Sequence, residues 1–381
     1  MHLKNDLLNK GFLRSVALNS RNKSLDGLRG WLALVVCIYH AFLIPEGEMI
    51  FPIFSAPIYQ TQSVSYKILL SIFNGDLAVV IFFVMSGAVL FASIVHIDSK
   101  TDHVLITITD FTLKRLFRIY PVFIVSLLIF TGFYFLLQSI FPNVFHIYYG
   151  IRQLIYNMFL TKIDMYGASW SLQVEIEAIP FILLSYFVFR RFDLRGLLFL
   201  YALSLIAIKA PWITLNLPNL NQNFFLFLTG MLAAGAVGQV ISTGMTDRSI
   251  GLCLVLLVSG TTLTTYTDDI VKIYQGILAS IIISSLIFMR LPFWGTFLCR
   301  PISQFFADIS YCFYALNPIF LELNRVVMTK VLPWPQNSFL FELLLAISAV
   351  TISIPVSVIV RRLVEIPGIA VGRYIASRLR A

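Results

Sequence analysis

Ten apolar runs, separated by short polar or basic stretches, set the pattern of this chain. They fall at about 29–46, 67–95, 119–140, 169–189, 196–210, 223–241, 250–266, 272–289, 303–324 and 338–360. Runs of near-membrane length with few charges predict transmembrane helices, because a helix satisfies its own backbone polar groups in hydrocarbon. The expected fold is all-α: a polytopic transmembrane bundle of about ten helices. There is no short-period repeat and no low-complexity stretch. No inverted repeat relates the halves, which disfavours many transporter folds.

Composition and charge sharpen this picture. The 381 residues are 58% hydrophobic and 12% charged, with a mean hydropathy of +0.85. Soluble domains carry about 25% charged residues, so a water-soluble core is excluded. No long polar segment remains for an appended soluble domain. The formal charge of +9 concerns topology rather than nucleic acid. With the N-terminus in the cytoplasm, 21 of the 28 Lys and Arg fall in cytoplasmic segments and 7 in outer ones. This positive-inside asymmetry places both termini in the cytoplasm. The expected division is a cytoplasmic lead-in over 1–25, a transmembrane domain over 26–360, and a basic amphipathic tail over 361–381 on the cytoplasmic face. The loop 141–168 is the longest outer connection, and its tyrosines suit a membrane interface. No small-residue cleavage site follows the first apolar run, so that run is read as a retained helix rather than a signal peptide. Cys37, Cys253, Cys299 and Cys312 form no C-x-x-C pair and no disulfide framework. Five scattered histidines give no metal-ligand spacing, and no metal site is expected.

Candidate chemistry lies in five segments. In SLDGLRGWLALVVCIYH (24–40), His40 lies 11 residues beyond Arg29, roughly 16 Å along a helix and near the bilayer midplane. An ionisable group at that depth is a functional candidate, here a general base near neutral pH. The alternative is a structural histidine bonded to a carbonyl. Asp26 is placed to cap this helix, and Arg29 is either an orientation anchor or an anion ligand. In GDLAVVIFFVMSGAVLFAS (75–93), Asp76 has a depth that brings it toward His40, although an interface-facing carboxylate is the simpler reading. Ser86 is a possible nucleophile, but Ser-Gly in a membrane helix more often permits close packing. In KRLFRIYP (114–121), Arg115 and Arg118 share one helical face at the cytoplasmic start of a span, suited to orientation or to gripping phosphate. In SWSLQVEIEAIPF (169–181), Glu175 and Glu177 are tolerated by a helix N-terminus, and Glu175 is also placed to orient a hydroxyl or to pair with His40 or an arginine. SYCFYALNPIF (310–320) and VEIPG (364–368) close the series.

These segments, in this order, resemble the acyltransferase-3 family, bacterial membrane proteins that move acyl groups from coenzyme A onto cell-surface sugars. The resemblance rests on Arg29 and His40 with ten residues between them, on Phe82, Phe83, Ser86 and Gly87, and on Arg115, Arg118, Ile119, Tyr120 and Pro121. Trp170, Ser171 and Glu175 of W-S-L-x-x-E, and Glu365 with Pro367, complete it. It spans residues 24 to about 375. Asn317 departs from the pattern, because many members place a histidine directly before this proline, and asparagine cannot act as a base at neutral pH.

The resemblance implies an O-acyltransferase of the bacterial inner membrane. Its expected partners are acyl-coenzyme A, most often acetyl-coenzyme A, a carbohydrate acceptor and membrane lipids. No cofactor is permanently bound and no nucleic acid is involved. Arg29, Arg115 and Arg118 are expected to hold the donor phosphates, and His40 and Glu175 to be catalytic. Trp170 and Ser171 are expected to meet the acceptor from the outer side, with Asp76, Ser86, Asn317 and Glu365 in support. Two other readings stay open: a proton-coupled transporter or flippase for a sugar or lipid-linked precursor, and a non-catalytic relative acting as an assembly partner.

Overall fold

The computed structural model describes residues 22–43, 56–61, 63–101, 103–140, 150–165, 167, 169–264, 269–289, 291–330 and 339–379. Most of the expected lead-in, and residues 141–149, 166 and 168 of the tyrosine-rich loop, lie outside the described residues. Every regular element described is helical. In chain order these are α1 (Lys23–Leu43), α2 (Val64–Ile72), α3 (Gly75–Asp98), α4 (Val104–Ile140), α5 (Ile151–Met158) and α6 (Ser169–Ala207). Two single turns lead to α7 (Phe224–Ala233) and α8 (Ala236–Ser242). Then follow α9 (Asp247–Leu263), α10 (Asp269–Phe288), α11 (Pro292–Cys299), α12 (Pro301–Lys330) and α13 (Phe339–Val360). A π-helical turn, Arg361–Glu365, joins α13 to α14 (Ile366–Arg378).

Each of the ten apolar runs overlaps a helix, but they are not ten equivalent spans. Among the described residues, six helical stretches are long and apolar enough to cross a membrane, and the α7–α8 pair, bent by 73°, brings this to seven. Two of the expected spans, 169–189 and 196–210, lie within α6 on either side of a break at Asp193, where φ is 54°. Helix α12 is 30 residues long but carries Asp308, Asn317, Glu322, Asn324 and Arg325. Asn317 and Asn324 are buried and Asp308, Glu322 and Arg325 half-buried, so hydropathy alone undervalues it.

Helix α3 is apolar around its whole circumference and is correspondingly buried along most of its length. Its start is fixed by Asn74, whose side-chain oxygen accepts from the Leu77 amide at 2.8 Å. Against α7 the contact is backbone to backbone: a Cβ at Gly87 would meet the Phe227 carbonyl oxygen at 2.0 Å, and one at Gly230 would meet that of Val84 at 1.9 Å. Small residues allow this approach where lipid offers helices no hydrophobic drive to associate. Helix α1 is capped by Asn22, which accepts from the amides of Ser24 and Leu25 at 3.0 and 3.1 Å. Asp26, expected as that cap, lies inside the first turn and pairs with Arg29 instead.

The basic stretches gather at one end of the bundle. There Asp98, closing α3, accepts from Arg190 at 2.9 Å and from Tyr186 at 2.8 Å. Gln304 donates to the Lys23 carbonyl at 2.8 Å. The cavity described next reaches toward this basic end, where its lining residue Arg373 is exposed.

Candidate active site

Helices α1, α3, α4, α6, α12 and α14 enclose a cavity of about 600 Å³. Helix α4 begins at Val104, well before the expected start near 119. The stretch 104–118 is amphipathic rather than continuously apolar, so an apolar-run criterion passes over it. As a result Arg115 lies roughly 16 Å along the helix and inside the bundle. Arg115, Arg118 and Ile119 share one stripe of α4 and all three line the cavity.

Five arginines and four carboxylates line this space: Arg29, Arg115, Arg118, Arg361 and Arg373 with Asp26, Glu175, Asp308 and Glu365. Two of the arginines are compensated, Arg29 by Asp26 and Arg361 by Asp308 at 3.2 Å. Arg115, Arg118 and Arg373 have no ion pair or hydrogen bond among the described residues. Glu175 accepts from Ser86 at 3.4 Å and stands within electrostatic reach of Arg115. Glu365 is buried and accepts from the Cys312 thiol at 3.2 Å. Charges inside a membrane protein are costly and persist where something compensates them. Arg115, Arg118 and Arg373 face one void without a protein partner among the described residues, an arrangement whose chemistry suits an anion.

The cavity brings together Arg29, Arg115, Arg118, Ser86, Ser171, Glu175 and Glu365 of the sequence candidates. It does not reach His40, Asp76, Trp170 or Asn317. On α3 its last lining residue in this direction is Val79, so it stops about one helical turn, ~4.5 Å, short of Asp76. Asp76 accepts from Tyr39 at 2.6 Å and acts electrostatically on His40. The His40 ring packs on Tyr39 at 5.6 Å between centroids, and its Nδ1 is buried with no hydrogen-bond partner among the described residues. Trp170 meets the edge of Phe83 at 6.0 Å, behind the cavity wall. Asn317 is fully buried and donates to the carbonyls of Phe313 and Tyr314 at 2.9 and 3.1 Å. Pro318 has no N–H to offer the Tyr314 carbonyl four residues back, and the Asn317 side chain fills that gap.

Sequence reasoning passed over Asp308, Tyr311, Tyr314, Arg361 and Arg373. Tyr314 shares a hydrogen bond with Ser171 at 2.7 Å, and Tyr311 donates to the Ile119 carbonyl at 2.6 Å. Their signal is periodic: Ala307, Asp308, Tyr311 and Tyr314 recur at helical spacing along α12, on the face that lines the cavity.

A family model described as "Acyltransferase domain" matches residues 22–358. The chain belongs to the acyltransferase-3 family. No curated protein and no solved structure matches it. As a family member it is an integral membrane acyltransferase, and the matched region holds every cavity helix except α14. The family's arginine–histidine pair on α1 is thus divided between two environments. Arg29 lies in the cavity, and His40 lies beyond its end.

Proposed function

We propose that this acyltransferase takes an acyl group, most simply acetyl, from acyl-coenzyme A and passes it to a hydroxyl of an exported or cell-surface saccharide. The observation that carries this reading is the set of unpartnered arginines, Arg115 and Arg118 with Arg373, around one cavity at the basic end. Coenzyme A bears phosphates that match such a receptor, and arginine binds phosphate oxygens with paired donors. The positive-inside count supports a cytoplasmic assignment for that end and for both termini, in a bacterial inner membrane. The donor then enters from the cytoplasm with its thioester leading. The acceptor approaches from the outer side, near Trp170, Ser171 and Asp76.

In the reaction, His40 accepts the proton of the acceptor hydroxyl as its oxygen attacks the thioester carbonyl. The C–S bond breaks, and the coenzyme A sulfur leaves and takes up a proton. Asp76, within electrostatic reach of His40, steadies the imidazolium formed in between. A second reading is favoured by one specific observation: Glu175, not His40, lines the cavity. In that reading Glu175 is the proton acceptor. Turnover of acetyl-coenzyme A by the protein in nanodiscs, with His40→Ala and Glu175→Gln beside it, tests both. Release of free coenzyme A that His40→Ala abolishes while donor binding persists supports the first reading. Turnover that survives His40→Ala and fails in Glu175→Gln supports the second.

A further inference from the structure

The segment after Val360 has the sequence character of a surface tail, yet it forms a wall of the cavity. Its placement follows from two glycines. A Cβ at Gly368 would lie 3.0 Å from the Phe117 carbonyl oxygen and from Pro121, and one at Gly372 would lie 2.6 Å from the Phe117 Cβ and 3.6 Å from the Leu113 oxygen. Helix α14 therefore crosses α4 closely and antiparallel, as small-x-x-x-small stripes permit. The π-helical turn before it, closed by the Ile366 amide on the Arg361 carbonyl, adds a residue beside Pro367 and sets the rotation of the helix. With Gly368 and Gly372 turned to α4, Glu365, Ile369 and Arg373 recur every four residues along the neighbouring stripe, and all three line the cavity.

The antiparallel register also sets depth. Gly372 lies at the level of Leu113 to Phe117, and Gly368 at the level of Phe117 to Pro121. Arg373 thus stands level with Arg115 or slightly nearer the basic end, and Arg118 lies about one turn deeper. Arg373 is exposed at the mouth, whereas Arg115 and Arg118 are partly buried.

We propose that Arg373 binds the ribose 3′-phosphate of coenzyme A, making α14 the clamp for the nucleotide end of the donor. This rests on the acyl-coenzyme A reading above. The thioester must travel deepest, so the diphosphate meets Arg115 and Arg118 and the adenosine end stays at the mouth. There Arg373 is the cavity arginine left without an acidic partner. Arg361, already paired with Asp308 at 3.2 Å, holds the wall instead.

The test compares acetyl-coenzyme A with 3′-dephospho-acetyl-coenzyme A as donors for the full chain in nanodiscs, following thiol release. Wild-type protein is expected to show a KM about tenfold higher for the dephospho donor, the size of one charge-assisted hydrogen bond at a wet site. Arg373→Ala is expected to erase that ratio, raising KM for acetyl-coenzyme A alone and leaving kcat in place, and Arg373→Lys to restore part of it. Arg378→Ala, on the same helix but outside the cavity, is expected to keep the wild-type ratio. An unchanged ratio in Arg373→Ala overturns the proposal, as does an equal rise for both donors, which would mark a lipid headgroup or a structural role. Wild-type protein that binds and consumes neither donor overturns the acyl-coenzyme A reading itself, and the clamp with it.

Discussion

The arginine-lined cavity and the His40–Asp76 cluster meet on helix α3 and are built on opposite plans. The cavity keeps about 600 Å³ of space among charges, three of them without a protein partner. The His40 cluster has its charges packed against aromatic rings: Tyr39 donates to Asp76 at 2.6 Å and its ring lies tilted against that of His40. On the reading proposed above, the first receives a large anionic ligand that arrives complete. On the same reading, the second supplies the proton acceptor, His40, in a packed setting beside Asp76. On the cavity lining, Tyr314 stands within electrostatic reach of Asp76, bonded to Ser171 at 2.7 Å and set edge-on to Phe82 at 6.2 Å. A donor-side vestibule with a base beyond its end suits a reaction whose two substrates come from opposite faces. It also exposes the reading to failure, because the thioester must pass that last turn of α3.

The strongest way to break the comparison is to remove the base. His40→Ala is expected to lower kcat by about 10²–10⁴, the usual contribution of a general base, with donor affinity unchanged. Calorimetric or fluorescence titration with coenzyme A separates the two quantities. An active His40→Ala enzyme would collapse the two-cluster scheme into the cavity alone and move the base to Glu175.

The cavity is tested next through its deep arginines. Arg115→Ala and Arg118→Ala are each expected to raise KM for acyl-coenzyme A by about 10–100-fold, the equivalent of ~1.5–3 kcal/mol for a hydrogen bond to a charged group. Their kcat should change far less. The penalty should shrink with acetyl-pantetheine, which lacks phosphate. A variant that loses kcat and keeps KM would place that arginine on the reacting carbonyl.

Much of this arrangement was legible in the residues. Apolar runs gave the helices, and even the break at Asp193 falls in the basic stretch between two expected spans. Arg29, Arg115, Arg118, Ser86 and Glu175 converge because each stands on a helix whose depth follows from counting residues. What escaped notice has physical causes. Arg361 and Arg373 read as orientation charges, since positive-inside counting assigns any terminal arginine a sufficient role without the cavity. The early part of α4 is amphipathic, so the apolar pattern puts its arginines at a helix start rather than within the helix. Rotation of a helix about its axis is invisible to hydropathy, and it is rotation, set by Gly368 and Gly372, that turns Arg373 into the cavity.

A structural variant sharpens the comparison from outside both clusters. Helix α3 carries Asp76 and Ser86, and its contact with α7 depends on the absence of side chains at Gly87 and Gly230. Gly87→Ala or Gly230→Ala forces backbone apart, because each new Cβ would meet a carbonyl oxygen within 2.0 Å. The expected cost is about 1–3 kcal/mol, read as a lowered thermal midpoint in detergent. Both donor KM and kcat should suffer together, unlike either cluster's own variants. A midpoint equal to wild type would show that α7 can yield, and that α3 is not the common rail it is taken to be.

The smallest effect belongs to Asn317, and it bears on whether the missing family histidine matters. The Asn317 amide donates to the Tyr314 carbonyl that Pro318 leaves without its helical partner. Tyr314 in turn lines the cavity, within electrostatic reach of Asp76. Asn317→Ala removes the donor, and burial at this position keeps water from replacing it. The loss is then about 1 kcal/mol of stability, with kcat reduced by no more than the local loosening of Tyr314 allows. Asn317→Asp should be worse, since a carboxylate cannot donate to a carbonyl unless it is protonated. If Asn317→Ala instead abolishes turnover at unchanged stability, the side chain takes part in the chemistry. The departure from the family pattern would then mark a changed mechanism rather than a structural repair beneath Pro318.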